Sequence, residues 1–163
     1  LIIAYNQVFN LPYTIVRPSA LYGERCISRR VGQVFMEKAF FNETLEIEED
    51  GSSALDFTYI EDLISGIINI IENKKSINQI FNLTYGEAKP VKTLVNILKS
   101  YFPNLRVINK KKDKLMPTRG TLSVSKAKKL IGYKPIWNLE KGYVKYISWY
   151  KNLFDSNKSK NEF

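Results

Sequence analysis

The chain contains no histidine and a single cysteine, Cys26, among its 163 residues. Without histidine, serine–histidine and cysteine–histidine nucleophilic catalysis are excluded. The two scarcities together exclude an internal disulfide and an ordinary zinc site. There is no run of about 18 uninterrupted apolar residues, so no membrane-spanning helix is expected. The chain opens on Leu1 rather than methionine, and no basic segment, apolar stretch and small-residue cleavage site begin it, which argues against a signal peptide. Leu1–Phe9 reads as the end of an amphipathic helix met part-way, and the expectation is a piece of a longer protein.

What is present is ordinary for a folded domain. Hydrophobic residues make up 44% and charged residues 25%, values that disfavour disorder and fibrous classes. A chain of this length buries roughly two thirds of its unfolded surface, enough for a core. The net charge of +9 is unevenly placed. Residues 1–86 hold 7 Lys and Arg against 11 Asp and Glu, and residues 87–163 hold 18 against 5. The basic half suits an anionic partner: nucleic acid, an anionic surface or a phosphorylated small molecule. The bland alternative is a set of lysines on solvated helix faces.

Strand and helix patterns alternate, which indicates an α/β class. Tyr13–Val16, Leu45–Glu49, Asp56–Ile60, Ile77–Leu83 and Leu105–Ile108 read as short strands. Asp50-Gly51 is a turn pair. A helix over Val31–Ala39 is expected with Ser28 as its cap. Leu63, Ile64, Ile67, Ile68 and Ile71 mark the apolar face of a second helix, with Glu61 and Asp62 suited to its N-terminus. A third helix starts at Pro90, a fourth covers Ser125–Leu130, and a longer one runs over Leu139–Phe154. Lys110–Lys114 reads as a loop, and residues 155–163 as a frayed tail.

Four stretches carry a family likeness. Tyr13-Thr14-Ile15-Val16-Arg17-Pro18-Ser19-Ala20-Leu21-Tyr22-Gly23 is a strand followed by an Arg-x-x-x-x-Tyr-Gly loop. Asp50-Gly51 is followed by Leu55-Asp56-Phe57-Thr58-Tyr59-Ile60-Glu61-Asp62. Phe81-Asn82-Leu83 is a Phe-Asn strand. The fourth runs from Arg119 through Ser125-Lys126-Ala127 to Gly132-Tyr133-Lys134-Pro135, with Leu139-Glu140-Lys141-Gly142 and Trp149-Tyr150 beyond it. In this order and spacing the chain resembles the C-terminal half of the extended short-chain dehydrogenase/reductase family, the NAD(P)-dependent nucleotide-sugar epimerases and dehydratases.

The resemblance implies the C-terminal part of a Rossmann-like doubly wound fold with a small α/β substrate-binding lobe, spanning residues 1–163. It implies a cytoplasmic enzyme, an isomerase or lyase, that binds NAD or NADP and a nucleotide-sugar substrate and forms a homodimer in its complete form. The loop after the first strand runs beside the nicotinamide and the sugar, so Pro18 and Ser19 are expected at the cofactor and Ala20 at the substrate. A pyrophosphate needs positive charge in a planar fork, which arginine supplies better than lysine. Arg119, in a loop before a helix, and Arg30, near a helix start, are the expected anion contacts, with Arg25 and Arg29 as neighbours able to do the same. Asp56 and Asp62 are expected to hold the fold rather than to form a catalytic carboxylate pair, and Tyr22 and Tyr59 to pack.

Two departures stand out. Many relatives carry asparagine where this chain has Ala20, and arginine where it has Leu55, so those contacts are not available here. The family's glycine-rich dinucleotide turn and its catalytic Tyr-x-x-x-Lys pair are not found; Tyr85-x-x-x-Lys89 has the spacing but reads as a turn after a strand. No catalytic residue is therefore assigned, and the chain alone is expected to be inactive. Two other classes remain open: a basic nucleic-acid-binding module, with Trp137 and Tyr133 as its aromatics, and a non-catalytic binding module.

Overall fold

The structure is a computed structural model that describes residues 1–113, 115 and 117–158, with side chains as far as Phe154. In chain order the elements are α1 (Ile2–Phe9), β1 (Thr14–Arg17), β2 (Leu21–Tyr22), α2 (Val31–Phe40), β3 (Leu45–Glu48), β4 (Ala54–Leu55), β5 (Thr58–Tyr59) and α3 (Ile60–Glu72). A single 3-10 turn at Lys74–Ser76 leads to β6 (Gln79–Asn82), β7 (Lys89–Pro90), α4 (Val91–Tyr101), β8 (Val107–Lys110), α5 (Ser125–Ile131) and α6 (Leu139–Lys158). Strands pair two by two. β1–β6, β2–β5 and β3–β8 are parallel, and β4–β7 is antiparallel. Parallel pairs joined through helices are the α/β arrangement expected from the sequence.

Several boundaries differ from the sequence reading. The strand expected at Leu105–Ile108 begins two residues later, because Leu105 is a buried turn residue whose N–H donates to the Phe102 carbonyl. The strand then runs to Lys110, into the expected loop, since Lys110 pairs in register with Glu48. The strand expected over Asp56–Ile60 is two residues long, and α3 starts at Ile60. α6 extends to Lys158, and the remainder of the expected tail lies outside the described residues. Ser28 does not cap α2. The N-cap is Arg30, and Gln33 reaches back to accept the Arg29 N–H at 2.8 Å, while Ser28 Oγ lies 3.2 Å from Cys26 Sγ.

Two apolar cores divide the molecule. The larger gathers α2, α4, α6 and β3 around Tyr22, Met36, Leu45, Leu94, Leu98, Tyr143 and Tyr146. The smaller packs α3 and α5 onto β6 through Leu63, Ile70, Phe81, Leu83, Ala127, Ile131 and Tyr133. α3 departs from the expected pattern. It buries Leu63, Gly66 and Ile70, whereas Ile64, Ile67, Ile68 and Ile71 face outward. The reason is close packing on the inner side: a Cβ on Gly66 would stand 2.7 Å from Leu83 Cδ1 and 3.0 Å from the Tyr133 ring. The buried face of α3 is thus turned away from its isoleucine stripe, most of which is left open. The side chains of α1 have the same character, with Ile2, Ile3, Tyr5, Val8 and Phe9 all exposed.

Two buried carboxylates tie loops to this framework. Asp56, fully buried, accepts hydrogen bonds from Thr84 Oγ1 (2.9 Å), the Gly86 N–H (3.1 Å) and the Leu122 N–H (3.0 Å). Asp62, in the first turn of α3, accepts from the Ile136 and Trp137 N–H groups at 2.9 and 3.0 Å, fixing the approach to α6. Asn82 donates from Nδ2 to the Ser123 carbonyl at 3.0 Å. The fold-holding role expected for Asp56 and Asp62 accords with these contacts, and Asn82 ties β6 to the stretch before α5 in the same way. Among the described residues no helix is long and apolar enough to cross a membrane.

Removing the Asp56 carboxylate leaves three donors without their acceptor, so Asp56→Ala is expected to lower unfolding free energy by roughly 3 kcal/mol or more, and Asp56→Asn by less. Urea melts followed by circular dichroism check both; an unchanged midpoint for the alanine variant contradicts the role. Lysine at Ile64 and Ile71, both exposed, is expected to change stability by less than about 0.5 kcal/mol in the same melts.

Candidate functional site

The β1 strand ends at Arg17, and Pro18 turns the chain away from the sheet. Ligands of open α/β sheets sit outside this carboxyl edge. Ser19 and Ala20 follow, and Ala20 adopts φ 37, in the left-handed region that costs a side chain with a Cβ about 1–2 kcal/mol. The strained turn is held because the Ala20 carbonyl accepts the Thr58 N–H at 3.3 Å as β2 joins β5.

Pro18, Ser19 and Ala20 form one wall of a cavity of about 790 Å³. Arg30 and Val31 bring the start of α2 to it. The first N–H groups of a helix have no acceptor within it, so Val31 offers a donor beside the Arg30 guanidinium. β3 supplies a third wall. Leu45 is fully buried in the core, and Glu46, Ile47 and Glu48 line the cavity. The chain then reverses at Asp50-Gly51, where Asp50 Oδ1 accepts the Ser52 N–H at 3.0 Å and Gly51 has φ 72. That turn returns Ser52, Ser53, Ala54 and Leu55 to the cavity. Lys110 and Lys112 reach it from the end of β8, and Pro117, Thr118 and Arg119 close the remaining side.

All five residues expected at a site, Pro18, Ser19, Ala20, Arg30 and Arg119, thus line this one cavity. Arg25 and Arg29 do not line it, although both sit in the same loop with positive φ. Leu55, which stands where arginine is frequent in the resembling family, presents an apolar surface to the cavity. Glu46, Glu48, Lys110 and Lys112 were not anticipated. Lys110 ends β8, whose charged end looked like loop, and Lys112 follows it beyond the strand.

The charges around the cavity are not spent on one another. Among the described residues, the side chains of Arg30, Glu46, Glu48, Lys110, Lys112 and Arg119 make no ion pair or hydrogen bond, whereas Lys89 pairs with Glu87 and Lys145 with Glu61 elsewhere. Other lysines of the basic half lie over rings: Lys126 over Phe81, Lys145 over Trp137 and Lys151 over Tyr101. Tyr133 is buried, and Trp137 packs against Tyr59, so neither is set out as a stacking platform for bases. Tyr22 and Tyr59 pack beneath the site as expected, with exposures of 1% and 0%. Burial, foremost, pushes both phenols far above their ordinary range, and the Tyr59 hydroxyl donates to Glu24 at 2.6 Å. Neither phenol is poised for proton transfer near neutral pH.

Residues 1–84 match the NAD dependent epimerase/dehydratase family. The chain belongs to that family. An uncharacterized protein of Methanocaldococcus jannaschii is 31% identical over 156 residues, covering 90% of this chain and 45% of that protein. UDP-glucuronate 4-epimerase 5 of Arabidopsis thaliana is 27% identical over 179 residues, covering 98% of this chain and 40% of the plant protein. The crystal structure of UDP-glucuronic acid 4-epimerase from Bacillus cereus, in complex with UDP-glucuronic acid and NAD, superposes with a TM-score of 0.84 at 25% identity, covering 93% of this chain and 49% of that one. The chain therefore spans less than half the length of these relatives, and its fold corresponds to part of a Rossmann-like epimerase.

The strained Ala20 turn is open to a direct check. Glycine there carries no Cβ penalty, so Ala20→Gly is expected to hold or raise stability by up to about 1 kcal/mol. A fall in the melting midpoint instead would show that the turn is relaxed in solution.

Proposed function

We propose that this chain is the substrate-selecting part of an NAD- or NADP-dependent nucleotide-sugar epimerase or 4,6-dehydratase. The observation that carries the reading is the convergence of Arg30, Arg119 and the post-β1 loop on one cavity with unpaired cations. A diphosphate suits the space between two arginines, whose planar forks give paired charge-assisted hydrogen bonds, and the start of α2 adds an N–H donor and a favourable dipole. The uncharged turn Pro18-Ser19-Ala20 at the carboxyl edge of β1 suits a sugar held against a nicotinamide.

Pro18 and Ser19 are uncharged and stand at the parallel strand's end, a wall that fits a nicotinamide ring. The group, when bound, supplies acceptance of hydride from the sugar's C4 and its return. The chain's own residues bind and orient: the arginines fix the diphosphate, and Ala20 leaves room beside the sugar where a larger side chain would press on it. No proton-transferring residue is assigned within this chain. Its relatives include proteins named as UDP-sugar 4-epimerases, which supports epimerisation over elimination as the reaction of the complete protein. A cytoplasmic location and a homodimer belong to the same reading.

Alanine at Arg30 or Arg119 removes charge-assisted bonds worth roughly 1.5–3 kcal/mol, so affinity for a nucleoside diphosphate should fall about ten- to a hundredfold. The unphosphorylated sugar should be hardly affected. Lysine at either position should recover only part, keeping the charge and losing the fork. Calorimetric titration of the complete protein measures this; a change of less than twofold in both alanine variants overturns the assignment.

A further inference from the structure

This inference rests on the reading of Arg30 as a diphosphate contact and concerns what places it. The loop from Gly23 to Arg30 leads from β2 to the start of α2 and brings Arg30 to the cavity wall. Its beginning is tied down by Glu24, which accepts the Tyr59 hydroxyl at 2.6 Å. Its end is strained. Arg29 has φ 50, a left-handed conformation that a residue with a Cβ avoids, and Arg30 then turns to φ −82, ψ 164. Among the described residues the Arg30 side chain makes no ion pair or hydrogen bond, so its place at the wall is set by its backbone.

Gln33 holds that backbone. It lies in the first turn of α2 and is buried, with 6% exposure. In a capping box a glutamine at this place reaches back to the N–H of the cap residue. Here it reaches one residue further, and its Oε1 accepts the Arg29 N–H at 2.8 Å. Its Nε2 donates to Glu37 Oε1 at 2.6 Å, and the same oxygen accepts the Tyr150 hydroxyl of α6 at 3.4 Å. These partners leave the amide one orientation, because an N–H can meet only its oxygen and a carboxylate only its nitrogen. The strained peptide is thereby joined through α2 to α6. We propose that Gln33, oriented by Glu37, is a positioning residue for Arg30. It holds the left-handed Arg29 peptide, and that peptide sets Arg30 at the cavity as a diphosphate contact.

Calorimetric titration of the complete protein with UDP and GDP, following whichever binds wild type more tightly, tests the assignment. Gln33→Ala is expected to weaken binding at least fivefold, yet by less than twofold when added to Arg30→Ala. Gln33→Glu alone sets two carboxylates against each other and is expected to cost at least as much. Combined with Glu37→Gln it keeps an acceptor for the Arg29 N–H and restores the side-chain bond with its direction reversed. That double variant is expected to bind within twofold of wild type. A merely structural Gln33 lowers the melting midpoint and leaves affinity unchanged, or weakens it equally with and without Arg30. Either result overturns the positioning role, as does a failure of Glu37→Gln to rescue Gln33→Glu, which decides the matter even where Gln33→Ala does not fold. Wild type that binds neither nucleotide, or Arg30→Ala that binds as wild type does, overturns the diphosphate reading beneath it instead.

Discussion

The buried carboxylate of Asp56 is the constraint on which the arrangement depends. It sits where the β4–β5 segment meets the loop after β6 and the stretch before α5, and it takes one hydrogen bond from Thr84, Gly86 and Leu122 in turn. A buried charge is tolerable only when its acceptor sites are filled, so three distant segments are held to a common point. Asp62 repeats the device in the first turn of α3, holding the chain at Ile136 and Trp137. Between them these two side chains fix the segments around the cavity: the Ala54–Leu55 strand on one side, and on the other the residues that follow Arg119.

The cavity then follows from strand order rather than from any single motif. β1 brings Pro18–Ala20, α2 brings Arg30, and the parallel pair β3–β8 brings two carboxylates and two lysines. Packing beneath is aromatic, with the Tyr22 ring meeting Phe57 edge-on and Tyr59, Tyr143 and Tyr146 at tilted angles. Close approach is needed here, because a Cβ on Gly32 would stand 2.8 Å from Tyr22 Cβ. This packed floor lies under charged side chains that are not paired with one another.

Much of this was legible before the structure. α4 and α6 announced themselves by apolar residues at three- and four-residue spacing, and the five expected site residues came from the order of short motifs. What escaped was set by contacts between residues far apart in the chain. Leu105 looked like the start of a strand because it is apolar, but it is apolar to fill a turn. Lys110 looked like loop because it is charged, but its backbone pairs with Glu48. The outward isoleucines of α3 looked like core, since periodicity shows that a helix has an apolar side without showing what covers it. The cap of α2 was misplaced because Ser28 turns to Cys26 and the helix starts after Arg30, with no side chain capping its first N–H groups.

The central claim is that one cavity, and not the lysine-rich surface, receives the phosphorylated ligand. Hydrogen–deuterium exchange of the complete protein with and without a nucleoside diphosphate-sugar tests it most directly. Protection is expected around Ser19 and Ala20, at Val31 and Gly32, along Glu46–Leu55 and around Thr118 and Arg119, with Lys126–Lys134 unchanged. Protection centred on Lys126–Lys134, with the cavity segments exchanging as before, would contradict the account.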